Sequence, residues 1–127
     1  MGAWTFLDFV DGDDNKIRTW LRGLSMRAQA QIDRRLIQMS ALPKEQWPRK
    51  WTKPYKGYDQ IFELRIFCDN IQYRPLAFFG PDRRQITLLI GTVERDWKIP
   101  QGDLERAVTR RDMVLKDRRH VREHRYD

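Results

Sequence analysis

Two arginines set among apolar residues are the strongest chemical signal in this chain. Arg65 ends the run Ile61-Phe62-Glu63-Leu64-Arg65, and Arg74 sits inside Tyr73-Arg74-Pro75-Leu76-Ala77-Phe78-Phe79. A guanidinium on a sheet face is costly to desolvate unless an anion compensates it. Two of them on one concave face would grip a phosphate bidentately and stabilise charge on a pentavalent phosphorane. The alternative is that Arg65 pairs with Glu63 or Asp69 on a wet face.

Cations bracket these runs. Lys53, Lys56 and Tyr58 flank the loop that leads into the first run, in Lys53-Pro54-Tyr55-Lys56-Gly57-Tyr58. Lysines so placed are candidates for moving protons, or simply keep a loop soluble. Arg95, Trp97 and Lys98 follow the third apolar run. Trp97 between two cations could stack a base or cap the core.

His120 and His124 match the H-x-x-E-H spacing of one zinc peptidase class through His120-Val121-Arg122-Glu123-His124. They lie among arginines with no third ligand in sight, so a metal is not expected. A tail histidine folding over a basic groove as acid or base is the better reading. Asp11, Asp13 and Asn15 open like a calcium loop, but Lys16 stands where that loop needs glycine and Arg22 where it needs glutamate. Helix capping explains them better. No Ser-His-Asp set, phosphate loop or dinucleotide fingerprint is present.

The elements that must position these residues follow from periodicity. Trp4 to Val10 is rich in strand formers and stops at Asp11-Gly12. Ile17, Trp20, Leu21 and Leu24 then fall on one helical face, and Ala28, Ile32, Leu36 and Met39 on a second, with a break near Gly23 and a stop before Pro43. Residues 42–60, with Pro43, Pro48, Pro54 and Gly57, read as a long loop carrying Trp47 and Trp51. Three strands are predicted, at about 60–68, 71–80 and 85–91. In the first, Phe62, Leu64, Ile66 and Cys68 face one side while Glu63 and Arg65 face the other. Short turns at Asp69-Asn70 and Gly80-Pro81-Asp82 make the pairing antiparallel. Pro75 cannot donate to a ladder, so it either points away from a partner or sits at a bulge. Asp103 can cap a last helix with Leu104, Ala107, Val108, Val114 and Leu115 on its apolar side. Residues 116–127 have little to bury and read as a mobile basic tail.

One domain with one core is what 127 residues support, with 40% apolar residues, 12% aromatics and five tryptophans. The net charge is +7. Residues 16–58 hold eleven lysines and arginines against two acids, Asp33 and Glu45. A basic band of that kind suits a polyanion, and it also suits a plain solvated surface. The single cysteine, Cys68, permits no intramolecular disulfide and fits a reducing cytoplasm. No apolar run approaches the ~18 residues of a membrane span, and the start lacks a basic signal region.

The order and spacing of Lys53-Pro54-Tyr55-Lys56-Gly57-Tyr58-Asp59-Gln60-Ile61-Phe62-Glu63-Leu64-Arg65, then Tyr73 to Gly80, then Leu88-Leu89-Ile90-Gly91, the turn to Pro100 and the Ala107-Val108-Thr109-Arg110-Arg111 helix resemble the RelE/ParE superfamily of type II toxin–antitoxin toxins. Within it the chain is most similar to the phage-related HigB-like branch, over roughly residues 17–117. The resemblance implies an α+β fold: a helical hairpin, a curved antiparallel sheet and a C-terminal helix. It implies ribosome-dependent cleavage of mRNA without metal or cofactor, and an antitoxin protein as partner. Lys56 matches the family's loop cation, Arg65 the arginine ending its strand, Arg74 the Tyr-Arg arginine, Arg95 one of two lysines after the Leu-Leu-x-Gly turn, and Lys98 a later lysine before proline. Glu94 takes the other lysine's place, a departure that bears on activity. A gyrase-inhibiting toxin on the same fold, or a relative that binds nucleic acid without cleaving it, fits the same residues.

Overall fold

The computed structural model describes residues 2–126. β1 (Thr5–Asp11) is followed by a two-residue return strand, β2 (Asp14–Asn15), that pairs with its end. Of the three candidate caps, Asn15 is the one used: its Oδ1 accepts the backbone N–H groups of Ile17 (3.1 Å) and Arg18 (2.8 Å) at the start of α1 (Lys16–Arg22). After Gly23, Ser25 caps α2 (Met26–Ser40) by accepting from the Ala28 N–H at 3.1 Å. The apolar faces are those set by the 3.6 period: Ile17 and Leu21 on α1, and Ala28, Ile32, Leu36 and Met39 on α2, are buried.

The long loop folds as two single 3-10 turns, Lys44–Gln46 and Arg49–Trp51, and ends in β3 (Thr52–Pro54). The predicted strands then appear in pieces: β4 (Ile61–Leu64) and β5 (Ile66–Cys68), β6 (Ile71–Tyr73) and β7 (Leu76–Phe79), then β8 (Gln85–Ile90). The two breaks fall at Arg65 and at Arg74-Pro75. Pro75 offers no N–H to the ladder, and the register shifts between Leu76 and Ala77. The backbone N–H of Arg65 instead reaches the Trp51 carbonyl (2.7 Å), and that of Arg74 reaches the Thr92 carbonyl (2.8 Å). The β5–β6 hairpin, turned through Asp69 and Asn70 at positive φ, forms a small sheet of its own.

α3 (Gln101–Lys116) starts earlier than predicted, with Pro100 at the cap position and no side-chain cap. Asp103 lies in its first turn, where its Oδ2 takes the Thr92 hydroxyl, and Leu115 is exposed rather than part of the apolar face.

The architecture is α+β, with a curved main sheet in the order β2-β1-β8-β7-β4-β3. One pairing departs from the antiparallel expectation: β1 and β8 run parallel. The two helices carry the chain away from β1, and the antiparallel pairings of β4 with β7 and of β7 with β8 then bring β8 alongside β1 in the same direction. The helical-hairpin side of the sheet buries Phe6, Phe62, Leu64, Ala77, Ile86 and Leu88 under α1 and α2. The opposite side packs Phe9, Ile61, Leu76, Phe78 and Leu89 against Leu104, Ala107 and Val114 of α3.

The basic tail is not loose. A single turn at Arg118–His120 leads to β9 (Val121–Glu123), which pairs antiparallel with β1. His124 follows, 3% exposed, with Nδ1 at 2.7 Å from Asp8 Oδ1 and Nε2 at 2.8 Å from Asp33 Oδ1. The tail has a buried anchor that its charged composition concealed.

Candidate functional site

The breaks at Arg65 and Arg74 create the site. Each arginine leaves its strand where the sheet bends, its backbone held by a segment outside the local hairpin, and both side chains turn toward Glu63. Glu63 is buried, and its carboxylate is fully used. Oε2 accepts from Arg65 Nε at 2.8 Å and lies 3.3 Å from Arg74 Nε; Oε1 accepts from the Tyr55 hydroxyl at 2.7 Å. Burial, then the hydrogen bond to Glu63, pushes the Tyr55 hydroxyl well above its ordinary pKa, so it stays protonated and donating.

Arg74 is 7% exposed. Its Nη2 donates to Gln72 Oε1 at 2.5 Å and to Glu94 Oε2 at 3.3 Å, and its Nη1 donates to the Tyr73 carbonyl at 3.2 Å. Burial pulls its pKa down while Glu94 and Glu63 push it back up. Arg65 is half-buried and keeps an open side. Arg65 does pair with Glu63, but Glu63 is buried, so the pair belongs to a built network and not to a wet face.

Around this network lies a cleft of about 240 Å³ lined by Lys53, Tyr55, Glu63, Arg65, Arg74, Glu94, Trp97 and Lys98, with Ile99, Gln101 and Leu104 behind them. Lys53 enters because β3 pairs with β4 in a register that sets it opposite Glu63. Trp97 and Lys98 enter from a tight turn in which Arg95 and Lys98 exchange backbone hydrogen bonds (2.9 and 3.0 Å) and Asp96 and Trp97 take positive φ. Trp97 is 92% exposed, so it does not cap the core. The cleft holds four cationic side chains against two carboxylates.

The remaining candidates lie elsewhere. Lys56 is exposed on the turn closed by the Tyr58 N–H and the Tyr55 carbonyl, and does not line the cleft. Tyr58 is half-buried and lines a neighbouring depression with Tyr55, Ile61 and Phe79. Arg95 is exposed on the approach to the cleft without lining it. The two histidines correct the expectation of a tail over a basic groove. His120 stacks on Phe9 (5.7 Å between ring centres) with Nδ1 at 3.0 Å from the Val10 carbonyl, and His124 is sealed between Asp8 and Asp33. Both flank β9 and pack against β1, across the sheet from β3 and β4. Among the described residues, no group of three or more His, Cys, Asp and Glu is placed to hold a metal ion. No described helix is long and apolar enough to cross a membrane.

Sequence reasoning missed Tyr55 and the central role of Glu63. The signal was there in part: the alternation that sends Arg65 to one face sends Glu63 to the same face. Gly91, part of the Leu-Leu-Ile-Gly run, has a packing role. A Cβ there would stand 1.8 Å from Trp20 Cδ2, so glycine is what lets the Trp20 ring close over the end of β8 just before Thr92, the tether of Arg74.

A family model described as "Phage derived protein Gp49-like (DUF891)" matches residues 19–112, about three quarters of the chain. That span runs from α1 through most of α3 and includes every residue of the cleft. Comparison with curated proteins and with solved structures returns no significant match.

Proposed function

This chain belongs to the Gp49-like phage-derived protein family, a family of RelE/HigB-like toxins of toxin–antitoxin pairs, and on that basis we propose that it is a HigB-branch toxin that cleaves mRNA on the ribosome by 2′-hydroxyl attack. The observation that carries the reading is the cleft itself: two arginines held by a buried carboxylate, with Lys53, Lys98 and an exposed tryptophan around them.

The 2′-oxygen attacks the adjacent phosphorus, the bond from phosphorus to the 5′-oxygen breaks, and the products are a 2′,3′-cyclic phosphate and a 5′-hydroxyl end. Arg65 presents its open side to the phosphate and, with Arg74, stabilises the charge of the phosphorane. Glu63 fixes both guanidiniums in advance, so little reorganisation is needed during reaction. Lys53, inside the cleft, takes the 2′-hydroxyl proton, with Lys56 on the loop outside as the other candidate base. Lys98 gives a proton to the leaving 5′-oxygen, which departs as the 5′-hydroxyl, and Arg95 holds the incoming backbone. Trp97 stacks on a base at the mouth of the cleft.

Glu94 favours a second, weaker reading. It pairs with Arg74 where the branch carries a lysine, which suits a relative that binds RNA and cleaves slowly. Family membership implies an antitoxin partner. An acidic segment of that antitoxin lying over Lys53, Arg65 and Arg95 would neutralise the toxin by occupying the phosphate's place. Induction in bacteria tests the function: transcripts should be cut and translation should stop before replication does. Intact transcripts with altered DNA supercoiling would replace it with gyrase inhibition.

A further inference from the structure

Beside the bend at half-open Arg65 and buried Arg74 lies a second groove, of about 300 Å³. It is lined by Arg35 of α2, Lys50 and Trp51 of the loop before β3, Phe67 of β5 and Gln72 of β6, and it shares Arg65 and Arg74 with the first cleft. No aspartate or glutamate lines it, whereas Glu63 and Glu94 line its neighbour.

Two features make the groove more than a basic surface. Phe67 is 57% exposed while its strand neighbours Ile66 and Cys68 are buried, so the strand turns a phenyl ring outward among cations. Arg35 is fixed: its guanidinium lies 4.5 Å from the centre of the Trp51 ring, its Nη1 donates to the Arg65 carbonyl at 2.6 Å, and its Nε is buried without a partner. An exposed flat ring next to clustered cations, continuous with a phosphate site, is the arrangement that holds single-stranded nucleic acid by stacking and charge together.

We infer that this groove is a nucleotide-binding subsite, so that an RNA strand crosses the Arg65–Arg74 saddle with one base stacked on Phe67 and the adjoining phosphate drawn to Lys50 and Arg35. The inference rests on the reading of the first cleft as an RNA site. It gives that cleft a directionless grip on a strand longer than the scissile dinucleotide, and it assigns Phe67, rather than Trp97 alone, to base stacking.

Direct binding tests it without requiring cleavage. A fluorescent, fully 2′-O-methylated oligonucleotide of about ten residues, matching the span of a single-strand site, is titrated against the intact protein. A poly-glutamate peptide of similar charge serves as the comparison anion. Phe67→Ala should weaken the oligonucleotide roughly tenfold, within the range for loss of one stacked base, and leave the peptide's affinity and the melting temperature unchanged. Phe67→Trp should restore binding. Lys50→Gln should lower the salt slope by about one. Equal affinity of Phe67→Ala for the oligonucleotide, equal losses for oligonucleotide and peptide, or no oligonucleotide binding by the wild type would each overturn the inference. The outcomes separate from those of the nuclease reading. If transcripts stay intact in cells while Phe67→Ala still loses the oligonucleotide, cleavage falls and the groove stands. If transcripts are cut and Phe67→Ala binds like wild type, the groove falls alone.

Discussion

In the cleft, one buried carboxylate is shared by two arginines; at the tail, one buried imidazole is shared by two carboxylates. The first joins neighbouring strands and the second joins distant segments of chain, and both depend on opposite charges brought out of water. They differ in what is left over. Glu63 leaves Arg65 half open beside Lys53 and Lys98, so positive charge remains for a ligand. His124 is sealed, with no exposed side chain surface, and Asn15 Nδ2 completes the set by donating to Asp8 Oδ2 at 3.0 Å. The first arrangement holds cations ready for another anion; the second locks β9 to β1 and α2.

The largest effect separating the two should come from Arg65→Ala. Removing one preorganised donor from a phosphoryl site costs on the order of a hundredfold or more in rate. Glu63 keeps Arg74 and Tyr55, so the melting temperature should change little. Single-turnover cleavage and thermal melting on the same preparation check this. Arg74→Ala is the less clean variant, because it leaves a hole at a buried position and takes Glu94's partner away, although Glu63 keeps Arg65 and Tyr55. Breaking a buried pair in this way costs on the order of 3–5 kcal/mol.

The tail cluster should show the reverse profile. Burial alone would lower the pKa of His124, but hydrogen bonds to Asp33 and Asp8 outweigh it and raise the value from 6.5 to about 9. A histidine whose folded pKa is raised contributes stability fully below its unfolded pKa, near 6.5, and loses it as pH rises through about 9. The loss should amount to roughly 3 kcal/mol at about 1.4 kcal/mol per pH unit. His124→Gln should be destabilised at pH 6 and show a flatter stability profile from there to pH 10. The cleavage rate of its folded fraction should match wild type. Urea melts across that range, paired with cleavage assays, measure both.

How much of this contrast could be read from the chain depends on the range of the contacts. The buried faces of α1 and α2 were legible because a 3.6-residue period records them locally. So was the shared face of Glu63 and Arg65, from simple alternation. Pro75 announced an irregular strand, though not that Arg65 would break its own strand opposite. The preference for Lys53 over Lys56 as a cleft residue depends on the β3–β4 register, which the loop sequence does not encode by itself. His124 was not legible at all. Its partners Asp8 and Asp33 lie 116 and 91 residues away, and the charged tail reads locally as solvated. The parallel pairing of β1 with β8 is hidden for the same reason.

A smaller effect sharpens the balance within the cleft. Glu94→Gln releases Arg74 from one of its two carboxylates. RNA affinity should rise roughly two- to fivefold, the equivalent of an ion pair worth up to about 1 kcal/mol. Filter binding at fixed ionic strength checks it.

The most direct measurement is the chemistry of the cut ends. Purified protein is added to ribosomes translating a defined mRNA, and the fragments are mapped and tested for ligation with and without prior phosphorylation. Wild type should produce 5′-hydroxyl ends paired with 2′,3′-cyclic phosphates, and Arg65→Ala should produce almost none. Fragments with 5′-phosphate ends, or equal cleavage by Arg65→Ala, would contradict a cleft in which Arg65 and Arg74 stabilise 2′-hydroxyl attack.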